Sequence, residues 1–218
     1  MKKTILLISI LSFSISIFAQ QNLIPNPSFE DYNSLPNSKG GISAGKCKNW
    51  FAFRGSPDYF HVNALHSNAS VPNNFWGSIN PHSGLAYGGF INWCDHYCRE
   101  YISIELIDTL EIGAEYEFAC YISNANQGIL SNAQGVLFHT EHPMGLYAPS
   151  SLPTSHSNWI LKEPHYYNPN LLLFTGSWQE IRFRFVATEH YNFLNIGNFF
   201  ARGDLREIIL INNSSHST

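Results

Sequence analysis

The run Glu115-Tyr116-Glu117-Phe118-Ala119-Cys120-Tyr121-Ile122-Ser123-Asn124 alternates residue by residue. Tyr116, Phe118, Cys120 and Ile122 fall on one side, and Glu117, Ala119, Tyr121 and Ser123 on the other. Successive side chains of an extended chain point to opposite faces, so a period of two predicts a β-strand with one buried face. Residues 178–187 repeat the pattern, with Ile181, Phe183 and Phe185 alternating against Arg182, Arg184 and Val186. Residues 99–106 alternate less cleanly through Tyr101, Ile102, Ile104 and Leu106. Further strands are expected at 49–53, 86–92, 135–140, 193–199 and 206–211. No segment sustains apolar residues at helical spacing, so helix is expected to be scarce. Several short strands separated by Gly, Pro, Asn and Ser predict an all-β fold, a two-sheet antiparallel β-sandwich whose inner faces bury the alternating aromatics and aliphatics.

The amino terminus carries a different message. Lys2 and Lys3 precede an almost apolar run, Ile5 to Phe18, and Ala19 is followed by the polar Gln20, Gln21 and Asn22. This is the layout of a secretory signal peptide over residues 1–19, too short for a comfortable membrane span of about 20 residues. One domain is expected over 20–212, with a polar tail at 213–218. No later stretch is apolar and long enough to cross a bilayer. Loss of Lys2 and Lys3 lowers the Lys and Arg count from 12 to 10 against 16 acidic residues, a net charge of −6. An acidic chain without basic clusters argues against nucleic acid and anionic lipid surfaces as partners. The expected location is outside the cytoplasm: periplasmic, outer-membrane-associated or extracellular.

Export exposes Cys47, Cys94, Cys98 and Cys120 to an oxidising compartment, where all four are disulfide candidates with three possible full pairings. Cys94-Asp95-His96-Tyr97-Cys98 has a metal-like look. A structural zinc site needs a second ligand pair, however, and disulfides or free thiols are expected instead. Residues 33–48, rich in Gly, Ser and Lys, and the Pro-rich 141–169 look like long loops. Asp58, between Pro57 and Tyr59, reads as a turn residue bonding its own backbone. Arg99 and Glu100 are adjacent, so on a strand they point to opposite faces.

No nucleophile elbow, His-Glu-x-x-His helix or phosphate-binding loop is present. The 10 histidines are mostly scattered through loop-like sequence, and no catalytic residues are assigned. Glu141-His142 and Glu189-His190 are neighbours in sequence only.

The opening Asn22-Leu23-Ile24-Pro25-Asn26-Pro27-Ser28-Phe29-Glu30 resembles that of galactose-binding-like jelly-roll modules. The chain further resembles a domain of exported bacterial envelope proteins that often precedes an OmpA-like or secretion-sorting domain. Val71-Pro72-Asn73-Asn74-Phe75-Trp76-Gly77 and Ser83-Gly84-Leu85-Ala86-Tyr87-Gly88-Gly89 follow in the same order, as do Ser56 to Phe60, Arg99 to Ile102 and Ile196 to Phe199. The resemblance implies a jelly roll. It also implies a structural calcium joining the opening Phe-Glu to acidic residues of the closing strand. Glu30 and Asp31 match the first half of that site, while residues 206–211 lack the paired Asp. Calcium takes six to eight oxygen ligands.

Sugar binding needs flat aromatic faces beside a few placed polar groups. Trp50 and Trp178 read as core and Trp76 as structural. Trp93, Asp95 and Tyr97 form one expected ligand cluster, and Trp159, Tyr166 and Tyr167 a second. The expected function is a non-catalytic, secreted or envelope-associated carbohydrate-binding module whose partner is a glycan or polysaccharide. The alternative is a structural or protein-interaction domain contacting envelope proteins, and an enzyme ranks third.

Overall fold

A computed structural model describes residues 21–92, 99–123, 129–131, 137–139, 144–152, 164–167 and 177–199. In chain order the strands are β1 (Trp50–Arg54), β2 (Asp58–His61), β3 (Asn73–Asn74), β4 (Gly77–Ser78), β5 (Ala86–Gly89), β6 (Tyr101–Leu110), β7 (Glu115–Ile122), β8 (Ile129–Ser131), β9 (Leu137–His139), β10 (Gly145–Tyr147), β11 (Tyr166–Tyr167), β12 (Gln179–Val186) and β13 (Tyr191–Gly197). A single 3-10 turn, Ser67–Ala69, is the one helical element among the described residues. The expectation of an all-β chain holds.

The main sheet has the order β1-β6-β13-β10-β11, and β12 pairs with β7 in a second sheet. β2–β5, β3–β4 and β8–β9 form three further two-stranded ribbons. Among the described residues every pairing is antiparallel. The main sheet and β7–β12 share one core, in which Ile102, Ile104, Leu106 and Leu194 meet Phe118, Tyr116, Phe183 and Phe185. The arrangement is sandwich-like.

The β7–β12 register places Phe118 opposite Phe183 and Tyr116 opposite Phe185. The Phe118 and Phe183 rings stack with centroids 5.1 Å apart. The outward side chains form an ionic ladder: Arg182 pairs with Glu117 and Glu180, and Arg184 reaches Glu117 at 3.1 Å. Alternation in the sequence thus maps onto an apolar inner face and a charged outer one.

β6 blurs that alternation for a physical reason. It is a central strand, and its first half is buried on both sides. Ile102, Ile104 and Leu106 enter the shared core, while Tyr101 lies under Phe53, Tyr147 and Phe199 in a second cluster. Ser103 is fully buried and donates to Asn195 Oδ1 at 2.6 Å, and Asn195 Nδ2 donates to the Tyr147 carbonyl. A hydroxyl survives there because its hydrogen bond offsets desolvation.

The opening segment is a clamp built on Asn26. Its Nδ2 donates to the carbonyls of Asp31 and Lys48, both at 2.8 Å, and its Oδ1 accepts from the Asp31 amide. Its own carbonyl accepts from Trp50 Nε1 at 2.8 Å. Asn26 sits at φ 51°, a left-handed conformation that Asn tolerates better than most residues. Phe29 stacks on Trp50 at 4.6 Å, and Tyr59 OH donates to the Phe29 carbonyl. Gly88 is required beside it, since a Cβ there would lie 2.7 Å from the Phe29 ring.

Residues 33–48 are no open loop. Ile42 and Cys47 are each 1% exposed, Tyr32 bridges Cys47, and the amides of Asn33 and Ser34 reach the Lys46 carbonyl. The other expected loop, 141–169, contains β10 and β11.

Candidate functional site

Between the main sheet and β7–β12 lies a cavity of about 920 Å³. Its deep wall is apolar: Ile102, Leu106, Leu110, Phe118 and Leu194 line it and are buried. Toward solvent it is bordered by Asn74, Trp76, Tyr87 and Trp178, which are half-buried, and by Tyr121, which is 46% exposed. Cys120 belongs to the inner face and opens onto this hollow rather than onto bulk water. Burial accordingly pushes its thiol up to about 12.

The rings at the border touch one another. Tyr87 meets Trp178 edge to face at 5.6 Å, His82 stacks on Tyr121 at 3.6 Å, and His82 meets Trp178 edge to face at 6.2 Å. Amide groups fix them. Asn74 Nδ2 donates to Tyr87 OH at 2.8 Å, Asn74 Oδ1 accepts from the Trp76 amide, and Trp178 Nε1 donates to the Asn80 carbonyl at 2.8 Å. These residues come from five separate stretches, brought together by the β3–β4 hairpin, β5, β7 and the approach to β12.

Asp58 anchors one side of the border. It is 3% exposed, and its carboxylate accepts from the Gly40 amide and from Trp76 Nε1, each at 2.5 Å. The expectation that it bonds its own backbone is therefore corrected: its partners lie 18 residues away on either side. Burial pushes its pKa up to about 6, outweighing the two donors and Lys39, while nearby Glu100 adds to the rise. Lys39 Nζ sits 3.6 Å over the Phe75 ring.

Glu100 and Arg99 go separate ways, as their adjacency predicts. Glu100 accepts from the Ser56 amide, the Ser56 hydroxyl and the Ile91 amide, whereas Arg99 reaches the Asn198 carbonyl. Tyr101 OH donates to the same carbonyl at 2.6 Å. These are cross-braces of the fold. Glu117 is held below the usual carboxylate range by hydrogen bonds from Arg184 and Arg182 on the outer face.

Of the expected ligand residues only Tyr166 and Tyr167 lie among the described ones. Trp93, Asp95, Tyr97 and Trp159 lie outside the described residues, as do Cys94 and Cys98. Tyr166 stacks on Phe183 at 4.0 Å inside the sandwich, and Tyr167 pairs with Gly145 through the backbone. Trp50 is core and Trp76 is tied down by Asp58, as expected. Trp178 is not core but stands at the border of the cavity. Cys47 and Cys120 are free thiols, so neither is in a disulfide. Cys47 is fixed instead against the Asn26 clamp, where burial pushes its thiol up to about 12.

At the expected calcium position, Glu30 Oε1 accepts from the Leu85 amide at 2.9 Å and the Ala86 amide at 3.3 Å. The Asp31 carbonyl accepts from Asn26 and Lys48. Among the described residues no three His, Cys, Asp or Glu side chains converge, and residues 206–211 lie outside them. The Glu30 oxygen thus closes the Gly84–Ala86 turn. Glu30 and Asp31 by themselves fall short of a cation cage.

No family model and no curated protein matches the chain. Among the described residues no helix is long and apolar enough to cross a membrane.

Proposed function

We propose that this chain is a non-catalytic, exported binding module of jelly-roll type whose ligand is a carbohydrate. The observation that carries the reading is the joined set of rings at the cavity border. Tyr87, Trp178, His82 and Tyr121 are joined in a chain, each touching the next, beside the Asn74 side-chain amide and the Asn80 carbonyl. Rings offer flat apolar area to pyranose C–H groups, and amides and hydroxyls match sugar hydroxyls. The resemblance of the opening segment to galactose-binding-like modules supports the same reading. Trp93, Asp95, Tyr97 and Trp159 remain in the proposal as a second contact region, and calcium as a structural ion.

A glycan array and polysaccharide pull-down on the purified protein, with calcium and then with chelator, test the proposal. Retention by one polymer class is the expected result, lost in Trp178→Ala and weakened in Trp93→Ala or Trp159→Ala. Retention unchanged in all three variants removes these sites from the proposal. A folded protein that retains no glycan moves the reading to an envelope interaction domain. The observation favouring that second reading is the exposed apolar trio Tyr32, Val62 and Leu85, at 46, 38 and 45% exposure.

A further inference from the structure

The hollow behind the aromatic border is far more than a sugar platform uses. Sandwich interiors are normally filled by interdigitating side chains about 10 Å thick, with few voids larger than a water molecule. Here Tyr116, Cys120, Phe183 and Phe185 point inward from β7 and β12 and are still only partly covered. The cavity of about 920 Å³ accounts for it, and that volume falls within the range of about 300–1,000 Å³ found for small-molecule sites.

Its chemistry is graded. The deep wall is hydrocarbon. Among the described residues, the charged ones on its border are Glu115, Glu117 and Arg182. Their charges are committed to the outer-face ladder, Glu117 to Arg182 and Arg184, and Glu115 to Arg184. Among the described residues an ionised head group finds no unpaired counter-charge, while Asn74, Tyr87 and Trp178 suit a neutral polyol.

Resting on the carbohydrate reading above, we infer that the cavity takes the hydrocarbon chain of a neutral, sugar-headed amphiphile. The alkyl chain lies between the sheets against Ile102, Leu106 and Phe185, and the sugar lies among Asn74, Tyr87 and Trp178.

Calorimetric titration of the purified protein tests this directly. The probes are methyl and octyl glycosides of glucose, galactose, mannose and N-acetylglucosamine, with octanol as a headless control, all below micelle-forming concentrations. A buried methylene tightens binding about fourfold, so burying half of the seven added carbons makes the octyl glycoside about 100-fold tighter than the methyl one. That gain, for at least one sugar and with octanol much weaker, is the expected result. Leu106→Trp fills the hollow and should cut the octyl advantage, the ratio of octyl to methyl affinity, to below about 10-fold, with circular dichroism confirming its fold. If that variant does not fold, the chain-length series on the unaltered protein decides alone. Equal affinity for methyl and octyl forms overturns the inference and leaves the carbohydrate reading standing. Octanol binding as tightly as the best octyl glycoside overturns the sugar head. Absence of binding by every probe overturns the inference, and the glycan array alone then decides the carbohydrate reading.

Discussion

β6 and β7 are consecutive strands of comparable length and both carry inward aliphatic or aromatic residues, yet they end in unlike surroundings. On β6, Ile104 is fully buried, facing Trp50 on one neighbouring strand and Leu194 on the other. On β7, Tyr116 and Cys120 face the same core but remain partly open to the cavity, and β7 pairs with β12 in a two-stranded sheet. Alternation therefore specifies which way a side chain points. How completely it is covered depends on the opposite layer, which the strand's own sequence does not encode.

The largest expected effect comes from the closed side. Ile104→Ala should lower the free energy of unfolding by about 4 kcal/mol, near the top of the range for large-to-small core changes, as measured by urea denaturation. A loss below about 1 kcal/mol would mean that the main sheet is as loosely packed as β7–β12 and would break the contrast.

Asp58 supplies the next effect. Its carboxyl ionises near 3.8 when unfolded and near 6 when folded, so between those values the folded chain holds the extra proton. The contribution of Asp58 to stability is then full below about pH 4 and is lost as pH rises toward 6, by an amount on the order of 3 kcal/mol. The difference between the unaltered protein and Asp58→Asn, measured across pH 4–6, isolates this slope from the other carboxylates. Parallel curves for the two proteins would show that the site is wetter than its burial implies.

Phe185→Ala removes a ring that lines the hollow. It should cost about 1.5 kcal/mol, less than the 3–5 kcal/mol of a fully packed Phe, because fewer neighbours are lost. A full-sized loss would argue that the inner face of β12 is as closed as that of β6. The smallest effect belongs to the outer ladder. Arg184→Ala should leave the urea midpoint unmoved, since exposed ion pairs contribute little. A clear drop would show that the ladder holds β7 to β12.

Much of this was legible in the residues. β7 and β12 followed from alternation, and β13 from its apolar run, with both ends two residues earlier than the expected 193–199. β2 was not recognised, and all four of its residues are buried. With both faces covered, it offers no period of two, and Pro57 beside Asp58 mimics a turn. The 33–48 segment looked like a loop because its order comes from distant partners rather than from local pattern. The aromatic border was the least legible part. Asn74, His82, Tyr87, Tyr121 and Trp178 are far apart in the chain, and only the packing of hairpin against sheet unites them. Trp178 sits one residue before an alternating strand, which is why it read as core.

The Asn26 clamp also bears on the order in which the molecule can form. Segment 22–31 has near partners, such as Asp31 for Asn26, but its contacts to the rest of the fold lie far along the chain. Asn26 waits for Lys48, 22 positions later, and for Trp50, 24 later, while Glu30 waits for Leu85, 55 later. Each is a loop that must close before its contact contributes. Segment 22–31 therefore completes its set of contacts only once residue 86 has emerged.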